Sequence, residues 1–393
     1  MNSRKATHSQ HAYLAKINER HLLRVIRDQG PRSRADLVRE TGLSAPTVSK
    51  GAAALLKARL LEEVKENGNG LTLGRPAPKL RLATESVQVL GIVFDVERCS
   101  IVATGLDGVI HEERSRQVEV VPDYDDLMDS LVKHARALMA RPRVRTLGIG
   151  VTVPGLMDQR RGLNIFTSNV RVIDGHAPGQ ELTEQLGVEC RVLPDQHALC
   201  MAEREFGRAR GLDDFAMLDV SSGVGMGVIS GGQLVRGHSG FAGEIGHITV
   251  EPNGPRCTCG NRGCLETVAS DAALARRVSH RLGRRVDIEE IIRLAREGKL
   301  KLETDLKDIV AYLAIGLAAV INIFNPSTLF IHGQLFDADA GLFARVLEQT
   351  SRRSLAPLFS DCQIVRAQSN KRQAAVAGVI QYLMDSVVPE LRA

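Results

Sequence analysis

The spacing of apolar positions changes period along the chain, and each change predicts a new element. Leu14, Ile17, Leu22, Val25 and Ile26 recur at helical spacing and predict a first helix that closes near Gly30-Pro31. A second helix is expected from Ser33, a capping residue followed by Asp36 in an acidic first turn, and it stops at Gly42. Ser44 caps a third, with Pro46 in the first turn, where its missing N–H does no harm. Past Leu60 the helical period gives way to an extended stretch over 60–64, a Gly/Asn-rich tip at 67–70 and a return over 80–82. Short helices joined by a tight Gly-containing turn, then a hairpin, predict a winged helix-turn-helix over residues 1–82. Arg59 is the awkward position. It ends the last helix where a left-handed glycine closes best, so it is expected to cost about 1 kcal/mol or to impose a different cap.

A linker is expected over 83–88, after which 89–96, 101–106 and 109–118 read as strands. Helix and strand then alternate: helix 123–140, strand 146–153, helix 180–186, strand 190–193 and helix 195–207. The pattern restarts with strand 215–220, a turn at Ser221-Ser222-Gly223, and strands 225–230 and 233–235. Phe94-Asp95-Val96 and Leu218-Asp219-Val220 open the two halves as a weak internal repeat. Two similar α/β halves imply a cleft between them, where small ligands bind. The longest apolar run, 309–321, is too short for a bilayer span and suits a buried core helix.

Composition alters this picture in two ways. The 393 residues are 44% hydrophobic and 25% charged, an ordinary globular balance with room for two or three domains. The overall charge of +5 is unevenly distributed, because residues 1–82 hold 16 Lys and Arg against 7 Asp and Glu. A basic module on a mildly acidic body suits nucleic-acid binding by the module. The second predicted helix of the helix-turn-helix enters the major groove with its N-terminal residues leading, which nominates Ser44, Ala45, Thr47, Ser49 and Lys50 for contacts to double-stranded DNA. Arg75, between Gly74 and Pro76 on the wing, is equally suited to a narrow minor groove and to an ordinary phosphate contact. The charged start has no apolar stretch for a signal peptide, and scattered cysteines suit a reducing compartment, so a cytoplasmic protein with no membrane partner is expected.

The densest chemistry lies in HITVEPNGPRCTCGNRGCLE, where His247, Cys257, Cys259 and Cys264 fall within 18 residues. Thiolate and imidazole are zinc ligands, and four of them leave no position open for water, so a structural Zn2+ is expected. Gly260 and Gly263 allow the sharp backbone such a loop needs. A disulfide knot or unrelated core cysteines are the alternatives.

On these residues the chain resembles the ROK family of repressors and sugar kinases. The resemblance rests on Gly243-Glu244-Ile245-Gly246-His247, then Cys257-Thr258-Cys259-Gly260 and Gly263-Cys264-Leu265-Glu266. It implies a two-lobed actin-like, ribonuclease H-like α/β fold over residues 89–393, here preceded by the α+β winged module of the repressor branch. It also implies that Asn169, Asp195, Glu244, His247 and Glu266 grip a sugar's hydroxyls, with His247 binding the metal as well. Carboxylates accept hydroxyl hydrogen bonds strongly and Asn both donates and accepts, which suits such a ligand.

Departures from the family pattern separate regulator from kinase. A kinase of this family carries Asp-x-Gly-Gly-Thr near the start of its first lobe. Here Val93 stands where that Asp belongs, and Asp95-Val96-Glu97 replaces Gly-Gly-Thr. Asp95 points to the face of Val93 but is displaced about 6 to 7 Å along the strand, too far to hold the same metal. Ser221 and Met226 interrupt the second phosphate loop, and Ile331-His332-Gly333-Gln334 replaces a Gly-rich nucleotide contact. Pro194 and His197 replace Asn residues flanking Asp195, which leaves the sugar's identity open. The expectation is a non-enzymatic, sugar-responsive regulator that binds a palindromic operator as a homodimer or homotetramer, with a sugar or sugar phosphate as effector. The alternatives are an active sugar kinase with Asp195 as general base, and a body that recognises a protein partner, with a vestigial cleft.

Overall fold

The computed structural model describes residues 2–64 and 78–385. The chain opens with α1 (Asn2–Gln29), β1 (Arg32–Ser33), α2 (Arg34–Thr41), α3 (Ala45–Lys57), β2 (Leu61–Val64) and β3 (Lys79–Leu82). The strands form one antiparallel sheet in the order β1-β3-β2. The expected caps are in place. Ser33 and Asp36 make the reciprocal capping box, and Gly42 closes α2 at φ 69°. Ser44 caps α3 by accepting from the Thr47 N–H. Arg59 adopts φ 60°, and the Arg59 and Leu60 N–H groups donate back to Leu56 and Leu55, so a glycine-type closure is made by a residue with a Cβ. The tip at 67–70 and Gly74-Arg75-Pro76 lie outside the described residues.

The first helix forms as expected, with a core face shorter than its apolar period, and one boundary in this unit needs correction. Leu14 and Ile17 are 53% and 40% exposed, so the core face of α1 begins at Leu22 and continues through Leu23 and Ile26. The stretch 83–88 is no spacer. Ala83 is fully buried, its N–H donates to Leu60 and its carbonyl accepts from Leu106, while Val87 and Gln88 already belong to the next sheet. One apolar cluster runs from Leu22, Ile26 and Leu55 through Leu80 and Val87 to Val376, Ile380 and Met384, which seats the N-terminal unit on the body. Burial of that shared surface is what a flexible linker would forgo.

The body consists of two lobes of the same plan. The first contains β4 (Val87–Val93), β5 (Arg98–Thr104), β6 (Ser115–Glu119), α4 (Tyr124–Met139) and β7 (Arg145–Val153), then the hairpin β8 (Leu156–Asp158) and β9 (Leu163–Phe166), then α5 (Pro178–Leu186), β10 (Cys190–Pro194) and α6 (Asp195–Phe206). Its sheet runs β10-β7-β4-β5-β6. The second holds β11 (Phe215–Val220), β12 (Val224–Ser230), β13 (Gln233–Leu234), α7 (Leu265–Val268), α8 (Asp271–Leu282), α9 (Ile288–Arg296), α10 (Glu303–Phe324), β14 (Thr328–His332), α11 (Leu342–Ser351), α12 (Ala356–Asp361) and β15 (Gln363–Arg366). Its sheet runs β13-β12-β11-β14-β15. Each sheet begins with an antiparallel meander and adds two parallel strands, so the internal repeat extends to topology.

The strand expected over 109–118 starts only at Ser115. Gly108 turns at φ 68° against the Phe206 ring, Val109 is exposed, and a short 3-10 turn at Glu112–Arg114 precedes β6. α10 is long and apolar enough to cross a membrane by length and composition, yet its Leu306, Leu313, Leu317 and Ile321 face packs into the core of the second lobe. From that lobe α13 (Lys371–Asp385) returns to pack on β4 and β7 of the first. Its approach requires Gly150, where a Cβ would lie 1.8 Å from the Ala375 carbonyl oxygen.

Candidate functional site

The metal-ligand candidates converge. His247 ends a single 3-10 turn at Ile245–His247, and the following loop folds back through bridges Thr249 to Cys264 and Arg256 to Arg262. Gly263 makes that return possible at φ 62°, since a Cβ there would lie 1.5 Å from the Glu251 carbonyl oxygen. The ligand atoms of His247, Cys257, Cys259 and Cys264 all lie within 4.8 Å of one another. Cys259 Sγ is 3.7 Å from Cys264 Sγ, and Cys257 Sγ is 3.6 Å from His247 Nδ1. A tetrahedral ion with metal–sulfur bonds of about 2.3 Å separates its donors by about 3.8 Å. A disulfide would bring sulfurs to about 2 Å, and all seven cysteines are free. The four residues can therefore hold a metal ion.

The loop carries two acids into the cleft between the lobes. His247 turns Nδ1 toward Cys257 and Nε2 toward Glu244 Oε2, 3.8 Å away. Glu266 Oε1 accepts from Ser168 Oγ at 3.3 Å and from Cys257 Sγ at 3.2 Å. Gln196 Nε2 donates to Glu244 at 3.3 Å. Asn169, Asp195, Glu244, His247 and Glu266 all line one cleft, so the residues nominated for sugar binding are brought together. Asp195 opens α6 and is 5% exposed. Its Oδ2 is 3.2 Å from Lys371 Nζ, while Oδ1 has no hydrogen-bond partner among the described residues.

Burial and charge pairing oppose one another in the cleft. Burial pushes Asp195 up to about 6, with Asp95 and Asp219 adding to the rise and Lys371 opposing it. Burial also raises Glu244, with Glu266 reinforcing the effect. For Asp219, burial is outweighed by Lys371 and His332, and its carboxyl is held below its ordinary value. Lys371 is raised because Asp195, Asp95 and Asp219 together overcome its desolvation.

The positions corresponding to a nucleotide site are engaged in other contacts. Val93 ends β4 as a buried apolar residue. Asp95 folds one oxygen onto the Val96 N–H and offers the other to Lys371 at 3.3 Å. His332 Nδ1 lies 2.7 Å from Asp219 Oδ1, which also accepts from Ser221 Oγ at 2.5 Å. Gly223, one of the retained loop glycines, faces Glu266, whose Oε2 would lie 3.0 Å from an added Cβ.

Reading the sequence missed Gln196, Ser168, Asp219 and above all Lys371 as cleft residues. Pro194 and His197 are not among the residues lining the cleft. His197 is fully buried, and desolvation lowers it to about 4 with Arg236 acting in the same direction. On the N-terminal unit, Ser44, Ala45, Ser49 and Lys50 are exposed at the start of α3, and Thr47 is half-buried with its hydroxyl 2.8 Å from that of Ser44. Arg75 lies outside the described residues.

Comparison with known proteins agrees with this arrangement. The sequence profile of the ROK family matches residues 90–385. The chain is 30% identical over 386 residues to the xylose repressor of Bacillus spizizenii, covering 95% of this chain and 98% of that protein. A crystal structure of a ROK family transcriptional regulator, a homologue of the Escherichia coli MLC protein, superposes with a TM-score of 0.78 at 27% identity, covering 96% of this chain and 98% of that one. The ROK hexokinase of Thermus thermophilus superposes with a TM-score of 0.62 at 28% identity, covering 76% of this chain and 99% of its own.

Proposed function

Because the chain belongs to the ROK family, we propose that it is a sugar-responsive transcriptional regulator, a repressor of carbohydrate genes. In this reading residues 1–82 form a winged helix-turn-helix that binds a palindromic operator as a homodimer or homotetramer, and residues 89–393 sense the sugar. The exposed start of α3, with Ala45, Ser49 and Lys50, enters the major groove. Ser44 and Thr47 chiefly shape the helix start, and Arg75 reaches the backbone or minor groove.

The observation that carries the reading is a pair of helices joining cleft to arm. α6 begins at Asp195 and, near its far end, Glu205 accepts two hydrogen bonds of 3.0 Å from Arg27 of α1. α13 begins at Lys371 and ends at Asp385, which pairs with Arg20 of α1. Arg20 and Arg27 are two turns apart and share a face of α1. At the cleft end, Lys371 and Asp195 tie the two helix starts together. A sugar hydroxyl donated to Asp195 Oδ1 bears on both helices, and it shifts the arm to the extent that it prefers one lobe arrangement.

The thiolate and imidazole donor set suits a structural Zn2+ at His247, Cys257, Cys259 and Cys264. Bound there, the ion supplies a rigid anchor for the loop. His247 already turns Nε2 toward Glu244, and Cys264 lies two residues before Glu266, so a loop held by these ligands would orient both acids.

No phosphoryl transfer is assigned to the cleft. Asp195 lies against an ammonium, and Val93 and Asp95-Val96-Glu97 offer no phosphate cradle. The test is equilibrium binding of the full chain to an operator selected from random duplex DNA, titrated with a panel of sugars. A sugar that weakens operator binding several-fold is expected. Operator binding unchanged by every sugar would contradict the reading.

A further inference from the structure

Resting on the reading of the cleft as a sugar site, we infer that the effector is an uncharged, unphosphorylated saccharide, and that Lys371 enforces this choice as an internal counter-ion. The distribution of charge carries the argument. Asp195, Asp219, Glu244 and Glu266 line the cleft, and among its described lining residues Lys371 is the sole lysine or arginine. An anionic ligand must therefore bind Lys371 or face carboxylates unaided.

Lys371 is already committed. Its Nζ is 3.2 Å from Asp195 Oδ2 and 3.3 Å from Asp95 Oδ2, and its side chain is only 14% exposed. An ammonium has three donors, and two are occupied by carboxylates from different segments of the first lobe. The third charge acting on it is Asp219 of the second lobe. Asp95 and Asp219 occupy matching places in the two sequence repeats, Phe94-Asp95-Val96 and Leu218-Asp219-Val220, so each half contributes one acid near the same cation. Lys371 comes from neither half's repeat motif but from the start of α13, and it neutralises the seam between them.

The other features that receive anions are also occupied. The start of α6 would attract an anion, but its first residue is Asp195. In the loop after β11, the Ser221 N–H donates to the Gly223 carbonyl, the Ser221 hydroxyl is bonded to Asp219, and Glu266 lies over Gly223. A phosphate carries about two negative charges and would have to displace Asp95 or Asp195 from Lys371, leaving that carboxylate beside it. A neutral polyol meets the opposite situation. Asp195 Oδ1 has a free acceptor, Glu244 and Glu266 have further acceptor lone pairs, and Asn169 and the second amide N–H of Gln196 can donate.

The experiment compares matched probes on the full chain: xylose with xylose 5-phosphate, glucose with glucose 6-phosphate, and N-acetylglucosamine with its 6-phosphate. Thermal shift and operator binding are read for each. At least one free sugar is expected to act, with its phosphate weaker by roughly a hundredfold, as like-charge juxtaposition in a buried site demands. Asp95→Asn releases one partner of Lys371 without altering the cleft lining, and it should narrow the gap by about tenfold. A phosphate that acts as well as, or better than, its free sugar would overturn the inference while leaving the sugar site standing. Undiminished discrimination in a folded Asp95→Asn protein would overturn the role given to Lys371. Silence from all six probes in both readouts would count against the sugar site itself, and this inference would go with it.

Discussion

Asp195 and Glu205 lie at opposite ends of one helix, about 15 Å apart along its axis, the first in the cleft and the second hydrogen-bonded to Arg27 of the N-terminal unit. In the proposed function, sensing and DNA reading thus share one helix. Because Glu205 is 5% exposed, its carboxylate depends on Arg27 for compensation; burial raises its pKa and Arg27 opposes the rise.

Arg27→Met should therefore destabilise the protein by about 2–3 kcal/mol by stranding a buried carboxylate. Adding Glu205→Gln should restore most of that stability. The double variant should still bind operator but respond less to sugar, because the arm is released from α6. Denaturation curves and operator titrations check both halves.

Cys259→Ser should lower bound zinc and the melting temperature together. Metal content unchanged after dialysis would refute the assigned ligand set. Glu244→Ala leaves the four ligands intact, so metal content and operator binding should persist while the sugar response disappears.

Asp271 offers a pH test. Burial, reinforced by Asp219, pushes it up to about 7 from 3.8, although it accepts from the Leu335 N–H. A carboxyl raised on folding favours the native state in its protonated form, and that advantage is lost as pH climbs toward 7. Asp271→Asn can still accept the Leu335 bond and never ionises. It should match the parent near pH 4 and exceed its stability by about 2–4 kcal/mol above pH 7.5. Equal stabilities across that range would contradict the assignment.

Arg59 sits at φ 60° to close α3. Arg59→Gly should stabilise this end by up to about 1 kcal/mol, detectable as slower hydrogen exchange at the Leu60 N–H, which caps the helix.

What could be read from the sequence was what is local. The cysteines and His247 lie within one loop, so spacing alone announced their chemistry, and Ser33, Gly42 and Ser44 cap helices whose partners are three or four residues away. The two-lobed plan followed from the alternation of helix and strand. Lys371 escaped because its partner Asp95 is 276 residues away and an isolated lysine at a helix start carries no motif. The boundary at 83–88 was misread for a related reason. A linker is expected there, while Ala83 is fixed by Leu60 and Leu106 from both sides. Leu14 and Ile17 keep the helical period but lie beyond the reach of the core.

In the proposed function, occupancy of a metal-braced sugar cleft is converted into movement of a DNA-reading arm, with no chemistry on the sugar. Operator affinity measured with and without saturating effector, in the presence of MgATP and with ADP release followed in the same samples, tests it most directly. A several-fold change in operator affinity with no sugar-dependent ADP release is expected. Sustained transfer of phosphate from ATP to the sugar would contradict the proposed function.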